Sequence, residues 1–247
     1  MKTLMLTLFA CSIAACAVDP FDDEVGADEQ SIIGGTPDDG DPSVVAVFAH
    51  APGATSGSLC TGTVISSRAV LTAAHCVDPA VVGSGQVFEV LTGSTLTGPT
   101  LAVANTAFDP AFDINNLDAG HDIGVVRLAA ATTLAPIRFN RSHTLTNAPV
   151  RLVGFGTNTH SNTGSGTKRQ VTTSIDSATT LLVQIGSSSQ QTCHGDSGGP
   201  AFQTLNGVQT LIGTTSFGSD NSTTSVCFGG GFDTRVDAVL SFIDSHL

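Results

Sequence analysis

Tryptophan and tyrosine are absent from this chain of 247 residues, and lysine and arginine together number only nine. With 21 acidic residues, the formal net charge is −12. We therefore expect no nucleic-acid partner, because such partners require a basic face. Charged residues make up only 12% of the chain and glycine is abundant, which favours an all-β globular protein over a disordered or helical one.

The chain also lacks a hydrophobic run long enough to cross a membrane as a helix. Its most apolar stretch, residues 4–15, follows Lys2 and is about a dozen residues long, which is typical of an export signal. Residues 13–16 (IAAC) resemble a bacterial lipobox, in which Cys16 would be acylated after cleavage. An ordinary A-x-A cleavage site overlaps them and is the alternative. Both indicate a secreted or cell-envelope protein, and we expect a bacterial source.

Cysteine is sparse, and its distribution agrees with export. Of six cysteines, Cys11 and Cys16 lie in or beside the signal, which leaves four in the body of the chain. Four cysteines allow three disulfide connectivities, of which sequence proximity favours Cys60–Cys76 and Cys193–Cys227. Metal binding is the alternative, but no C-x-x-C spacing is present, so we expect no metal and no cofactor.

Short apolar runs rich in β-branched residues recur along the body, separated by Gly, Asp-Pro or Ser/Thr clusters. This pattern predicts β-barrels or a sandwich. Residues 129–149 are expected to cross between two halves, and residues 156–170 to form a mobile surface loop. Only the C-terminus has apolar residues at helical spacing; these are Val236, Val239, Leu240, Ile243 and Leu247.

Three residues are candidates for a nucleophilic site. A serine nucleophile needs a base, an acid that orients the base, and donors for the oxyanion. Ser197 lies between glycines in GDSGGP, His75 ends the apolar run VLTAAH, and Asp122 opens the apolar run DIGVVRL. Taken singly, each has an ordinary structural explanation, namely a tight turn, a core histidine and a strand cap.

Taken together, these segments resemble the chymotrypsin/trypsin-like serine peptidase family. Its three signatures, in the order His, Asp, Ser, are similar to LTAAHC (71–76), HDIGVVRL (121–128) and GDSGGP (195–200). Its activation junction, substrate-binding strand and pocket wall resemble SIIGG (31–35), SFG (216–218) and GFDTRV (231–236). The resemblance extends from Ile32 to the C-terminus.

The resemblance implies an all-β fold of two antiparallel six-stranded β-barrels with a C-terminal α-helix. It assigns Ser197 as the nucleophile, His75 as the general base and Asp122 as the residue that orients the imidazole. The backbone N–H groups of Gly195 and Ser197 would form the oxyanion hole. The two disulfides would correspond to the family's bridges beside the histidine and the nucleophile. Three further residues would pair with the substrate backbone as an added strand; these are Ser216, Phe217 and Gly218.

The resemblance also implies a zymogen. Cleavage after Ser31 would free the α-amino group of Ile32, which would then pair with the buried Asp196. Ser31 is neither Lys nor Arg, so a trypsin-like activator is not implied and the activating peptidase is unknown. We expect four segments: a signal peptide (1–16), an acidic propeptide with six acids and no base (17–31), an N-terminal barrel (32–135), and a C-terminal barrel with the terminal helix (136–247).

Substrate preference depends on the pocket beside the nucleophile. Gln191 stands at the position of the pocket floor, with Thr192 next to it, and neither offers a full charge to Lys or Arg. Gly218 and Gly231 leave the pocket walls open, so we predict a preference for large uncharged side chains. Asp233 stands where the family usually has tyrosine. If its carboxylate points into the pocket, a preference for basic residues is the alternative.

Two other functions fit parts of the pattern. GDSGG also matches the nucleophile elbow G-x-S-x-G of esterases, but that fold needs strand–helix alternation and the order Ser, acid, His. A non-catalytic binding protein on the same fold is the second alternative, although all three motif positions are intact. We therefore predict a secreted, monomeric serine endopeptidase that acts on proteins or peptides.

Overall fold

The computed structural model describes residues 32–142, 145–160, 163–219 and 227–247. The predicted signal peptide (1–16), the lipid anchor at Cys16 and the predicted propeptide (17–31) lie outside the described residues. In the described part of the chain, no helix is both long and apolar enough to cross a membrane.

The described residues form mainly strands. In the first half these are β1 (Thr36–Pro37), β2 (Val44–His50), β3 (Gly57–Ser66), β4 (Ala69–Thr72), β5 (Val87–Leu91), β6 (Thr100–Phe108) and β7 (Gly124–Leu128). In the second half they are β8 (Arg138–Phe139), β9 (Val150–Gly154), β10 (Arg169–Thr173), β11 (Ile175–Ala178), β12 (Leu182–Ile185), β13 (Pro200–Leu205), β14 (Val208–Gly218) and β15 (Gly231–Arg235). The helical elements are α1 (Pro79–Val82), α2 (Leu240–Asp244) and three 3-10 turns at Ala74–Cys76, Leu117–Ala119 and Val236–Ala238.

Strands β2 to β7 close into a six-stranded antiparallel barrel in the order β2-β3-β4-β7-β6-β5. Successive side chains of β2 point to opposite faces, and this alternation explains how the barrel packs. Val45 and Val47 belong to a cluster with residues of the barrel strands β3, β4, β5 and β7. Val44 and Ala46 face the other way and pack in a cluster that includes residues of the second half, such as Phe155. Burial on both faces is why this strand is almost continuously apolar.

The second half is a nine-stranded sheet in the order β1-β10-β9-β13-β14-β15-β12-β11, with β8 pairing in parallel with β14. The predicted all-β class and the first six-stranded barrel are confirmed. The second unit is a half-barrel of nine strands instead of the expected six, and two of these strands, β1 and β8, are only two residues long.

The C-terminal helix is also confirmed, but it is shorter than the apolar pattern predicted. A 3-10 turn over Val236–Ala238 precedes α2. Val236, Val239 and Ile243 pack in the cluster between the two halves, as the spacing predicted. Leu247 stays 49% exposed, because α2 ends at Asp244.

A partly buried ionic cluster joins the two halves. Arg151 on β9 donates from both terminal nitrogens to the Asp41 carboxylate, at 2.5 and 2.9 Å. Lys168, which is 1% exposed, donates from Nζ to the Asp41 backbone carbonyl at 2.6 Å. Burial lowers the pKa of Lys168, while the nearby Asp38 and Asp41 charges act in the opposite direction. The expected surface loop over residues 156–170 is therefore wrong at Lys168, which is buried by its hydrogen bond to Asp41 and by the Phe155 ring, whose centroid is 6.0 Å from Nζ. It is also wrong at its last two residues, which begin β10.

Candidate active site

His75 lies in a short turn that two strands hold in place. Strand β4 leads directly into the 3-10 turn Ala74–Cys76. Cys76 is joined by a disulfide to Cys60 on β3, with a Cα–Cα distance of 6.2 Å. The sulfur atoms of Cys60 and Cys76 lie close to His75, but as a disulfide they are not thiolate ligands. The disulfide therefore joins the turn that carries His75 covalently to β3.

Asp122 makes a two-point contact with His75. Its Oδ1 accepts from the His75 backbone N–H at 3.0 Å, and its Oδ2 lies 2.7 Å from the imidazole Nδ1. The Ser216 hydroxyl donates to the same Oδ2 at 2.5 Å. Burial acts to raise the pKa of Asp122, but the hydrogen bonds and charge of His75, with the Ser216 hydroxyl, outweigh it and hold the pKa below its usual value. The site thus contains a buried, ionised carboxylate against one side of the imidazole.

Ser197 lies in a tight loop that glycines permit. Gly198 has φ +79°, and a Cβ on it would lie 2.1 Å from Thr72 Oγ1. Gly195 has φ +94°, which also favours glycine. Ser197 and His75 line one cleft of about 320 Å³. Among the described residues, the His75 ring has a hydrogen bond to Asp122 and none to the Ser197 side chain.

The cleft continues into a pocket formed by two segments of the second half. The Cys193–Cys227 disulfide, with a Cα–Cα distance of 5.5 Å, links these segments. Among the described residues, the lining of this part comprises Thr192, Cys193, Thr215, Ser216, Phe217, Gly218 and Cys227. The side chains of Ile114 and Leu117 line the cleft on the side of the first barrel.

Gln191, the predicted floor, lies below this lining and is fully buried. Its side-chain amide donates to the Cys227 carbonyl at 3.1 Å and accepts from the Gly230 N–H at 3.0 Å. Above it, Thr192 reaches across towards Gly231, since a Cβ on Gly231 would lie only 2.8 Å from Thr192 Oγ1. Thr192 therefore borders the pocket with a neutral side chain, and Gln191 is not among the described residues that line it.

Asp233 is buried at 1% exposure and lies opposite Thr215 in the pairing of β14 with β15. Burial raises its pKa to about 8, and the Thr215 hydroxyl lowers it only in part. Neither Asp233 Oδ2 nor Thr215 Oγ1 makes a hydrogen bond of normal geometry. The carboxylate packs near Gly213, where a Cβ would lie 3.1 Å from Oδ2, and is not among the described residues that line the cleft.

Asp196 is the other buried acid beside the nucleophile. Its carboxylate accepts backbone N–H groups from Gly156 at 2.8 Å and Cys193 at 2.9 Å. Burial nevertheless raises its pKa to about 7, because these two donors carry no charge. Among the described residues, no cation lies within salt-bridge distance of Asp196. The Ile32 side chain is itself fully buried, in the core of the second sheet.

Residues 32–243 match the family described as Trypsin. The chain belongs to the trypsin family. As a member of that family, it is a serine-type endopeptidase, and its substrates are proteins or peptides.

Individual relatives of this trypsin-family chain come from animals. "Chymotrypsin-like elastase family member 1" of Bos taurus is 31% identical over 76% of this chain and 78% of its own. "Trypsin, alkaline C" of Manduca sexta is 29% identical over 98% of this chain and 99% of its own. The predicted bacterial source therefore stays a prediction. The two disulfides are consistent with the predicted export.

Sequence reasoning missed one polar residue of this trypsin-family site. Thr61 on β3 is fully buried, and its hydroxyl donates to the Gly195 carbonyl at 2.9 Å. Nothing in the segment LCTGT marks it, because the contact joins residues 134 positions apart in the chain. Only the packing of the barrel against the second half brings them together.

Proposed function

We propose that this endopeptidase cleaves peptide bonds through an acyl-enzyme formed on Ser197, with His75 as general base and Asp122 as its orienting acid. The single observation that supports this most is the two-point contact of Asp122 with His75. It fixes the ring position and leaves Nδ1–H facing the carboxylate, so that Nε2 is the nitrogen free to accept a proton.

In the proposed first step, Ser197 Oγ attacks the scissile carbonyl while His75 Nε2 accepts its proton. The negative oxygen that forms is stabilised by the N–H groups of Gly195 and Ser197. The protonated imidazole then gives its proton to the leaving amine, and the C–N bond breaks. Water repeats the sequence on the ester, which releases the acid product and restores Ser197.

We also propose that the substrate backbone pairs with Ser216, Phe217 and Gly218 as an added strand. This segment ends β14 at the edge of the cleft. Phe217 is held by stacking on Phe232, with ring centroids 4.8 Å apart. Such pairing recognises backbone, so selectivity would come mainly from the pocket.

For that pocket we propose a preference for uncharged side chains of small to medium size. Thr192 ends the pocket, and the amide of Gln191 is already satisfied by backbone groups. The closeness of Thr192 to Gly231 favours smaller side chains than the large ones that the two wall glycines suggested.

The alternative of basic-residue preference through Asp233 is less well supported. A carboxyl whose pKa is raised to about 8 by burial carries little charge at neutral pH, and it lies behind Thr215 rather than in the cleft lining. If peptide hydrolysis is absent, the expected function is that of an esterase or of a non-catalytic binding protein on this fold.

We further propose that the chain is made as a zymogen and is activated by cleavage after Ser31. The acidic segment 17–31 would be removed by a peptidase of unknown type. The new α-ammonium group of Ile32 would supply the cation that Asp196 lacks. Ile32 has φ +56°, in a region that β-branched residues rarely adopt.

The remaining assignments are proposals of the same kind. We propose that the chain divides into a signal peptide (1–16), the propeptide, an N-terminal barrel (32–135) and a C-terminal unit (136–247). We propose a secreted monomer from a bacterial source, in which Cys16 carries a lipid if the lipobox rather than the A-x-A site is used. No metal or cofactor is assigned.

Peptide profiling of the cleaved protein, beside its Ser197→Ala variant, tests the function. We expect hydrolysis after residues such as Ala or Val, and none by the variant. Hydrolysis only after Arg or Lys would refute the pocket assignment. The Thr192→Gly variant, in which the pocket would deepen, should gain activity after Phe or Leu. An unchanged size preference would show that Thr192 does not end the pocket.

A further inference from the structure

The carbonyl groups of the nucleophile loop are anchored from outside the loop. The His194 carbonyl accepts from the Thr157 N–H at 2.7 Å. Because the C=O and N–H of a trans peptide point in opposite directions, this bond turns the Gly195 N–H away from Thr157. The next carbonyl, that of Gly195, is held by a side chain, the hydroxyl of Thr61. The orientation of both peptide units that flank Gly195 is therefore set by groups outside the loop.

Every polar atom of Thr61 makes a hydrogen bond where β3 meets the second half. Its hydroxyl donates to Gly195 O at 2.9 Å and accepts from the Phe155 N–H at 3.1 Å. Its backbone N–H donates to Ser197 O at 2.8 Å. Its backbone carbonyl accepts from the Thr72 hydroxyl at 2.8 Å. A single residue thus binds the carbonyls on both sides of Asp196.

The Thr61 contacts also reach the other parts of the site. Phe155 lies between Gly154 and Gly156, and these two glycines pack directly against the Asp196 carboxylate. Thr72 ends β4, the strand that leads to the His75 turn. Because Thr61 is fully buried, water cannot replace its hydroxyl if the hydroxyl is removed.

We infer that Thr61 is a positioning residue for the oxyanion hole, and that its hydroxyl fixes the Gly195–Asp196 peptide so that the Gly195 and Ser197 N–H groups converge on one point. This inference rests on the proposed function, because it needs those N–H groups to stabilise the oxyanion. Thr61 does not contact the substrate. It acts through Gly195 and Ser197.

The test compares Thr61→Val, which removes the hydroxyl at nearly constant volume, with Thr61→Ser, which keeps it. We expect Thr61→Val to lower kcat on a peptide amide substrate by about 10- to 100-fold, because small displacements of an oxyanion donor are costly. KM should change less than about threefold, since the pocket and the substrate strand are untouched. Thr61→Ser should keep kcat within about threefold of the original protein.

The matched control is Thr63→Val. Thr63 lies two residues along β3, is 1% exposed, and its hydroxyl makes no hydrogen bond. This variant removes the same group from the same strand without touching the nucleophile loop. Its kcat and KM should equal those of the original protein. An equal loss of kcat in both valine variants would overturn the inference, because packing alone would then explain the effect.

A second readout separates positioning from general instability. A peptidyl trifluoromethyl ketone forms an oxyanion in the hole, so its inhibition constant should rise in Thr61→Val by the factor that kcat/KM falls. An unreactive product-like peptide should bind unchanged. If Thr61→Val does not fold, Thr61→Ala replaces it, with the same expected losses.

The inference is wrong if the folded variant that lacks the hydroxyl keeps full kcat while the original protein is active. Failure of the proposed function looks different, since the original protein would then show no peptide hydrolysis after cleavage. The two failures are thus distinguished by the activity of the unmodified chain.

Discussion

Asp122 is the residue of the site whose role a single substitution tests most simply. Asp122→Asn keeps the size of the side chain, but its amide can donate to Nδ1 and so favour the wrong imidazole tautomer. We expect kcat to fall by about 10³- to 10⁴-fold with little change in KM, measured by steady-state hydrolysis of a peptide substrate.

Asp244→Asn is the control for this substitution. It removes an exposed ion pair with Arg141, in which Nη2 and Oδ1 are 2.5 Å apart, and neither residue lines the cleft. Its activity should be unchanged. A loss of less than about tenfold in Asp122→Asn would contradict the assignment of Asp122 as the orienting acid.

The ionisation of Asp233 gives a second prediction for a single residue, which concerns how the unfolding free energy depends on pH. Burial raises its pKa to about 8 in the folded protein, above the value of 3.8 for an unperturbed aspartate. Between these values the folded state holds a proton that the unfolded state has lost, so stability falls as pH rises through this window. Asp233→Asn removes the ionisation. Relative to the original protein, the variant should gain roughly 2–4 kcal/mol of unfolding free energy between pH 4 and pH 9.

Urea unfolding of both proteins at the two pH values, with the disulfides intact, measures this gain. A difference between the proteins that does not change with pH would contradict the buried, protonated state of Asp233. It would also reopen the alternative in which this carboxylate is ionised and available to a basic side chain.

At the scale of elements, the Cys60–Cys76 disulfide links β3 to the turn that carries His75. The two cysteines are 16 residues apart, and a cross-link closing a loop of that size contributes about 3 kcal/mol. Replacing both cysteines by alanine should lower the unfolding free energy by about that amount. Denaturant titration measures it, and a change below about 1 kcal/mol would show that β4 alone fixes the turn.

The strands and the terminal helix were largely predictable, because apolar periodicity reports which face of an element is buried. The region around Lys168 was not predictable in this way. Its burial depends on Asp38 and Asp41, more than a hundred residues earlier, and polar partners leave no periodic signal. The length of the terminal helix was overestimated for a related reason. Leu247 continues the apolar spacing, but spacing does not indicate the residue at which a helix ends.

The candidate site also has a part that was predictable from the sequence and a part that was not. Ser197, His75 and Asp122 were found from local motifs. The structure places Ser197 and His75 in one cleft and Asp122 against His75, buried away from the cleft. Thr61 was missed because its role arises from contact between the two halves of the molecule. The closeness of Thr192 to Gly231 was not predictable either, since it depends on how the segment before the nucleophile packs against the start of β15.

At the scale of the whole molecule, the proposed activation joins the N-terminal end of the described chain to the nucleophile loop. In the uncleaved chain, the raised pKa of Asp196, about 7, makes stability fall as pH rises from about 4 to 7. Pairing with the Ile32 ammonium group would keep the carboxylate ionised and remove that loss. Cleavage should therefore raise the melting temperature more at pH 8 than at pH 5.

Thermal unfolding of the precursor and of the cleaved protein at both pH values checks this expectation. In Asp196→Asn the pH-dependent gain should disappear, and cleavage should not restore activity. N-terminal sequencing of active protein should read IIGGT. Full activity in protein that still carries residues 17–31 would contradict the proposed activation.

The central claim, that Ser197 is the activated nucleophile, is tested most directly by covalent labelling. The cleaved protein is treated with a fluorophosphonate, digested and examined by mass spectrometry. We predict one adduct, on Ser197, which is absent from Ser197→Ala and slowed at least about 100-fold in His75→Ala. Peptide hydrolysis that persists in Ser197→Ala, or labelling that maps to another residue, would contradict the account.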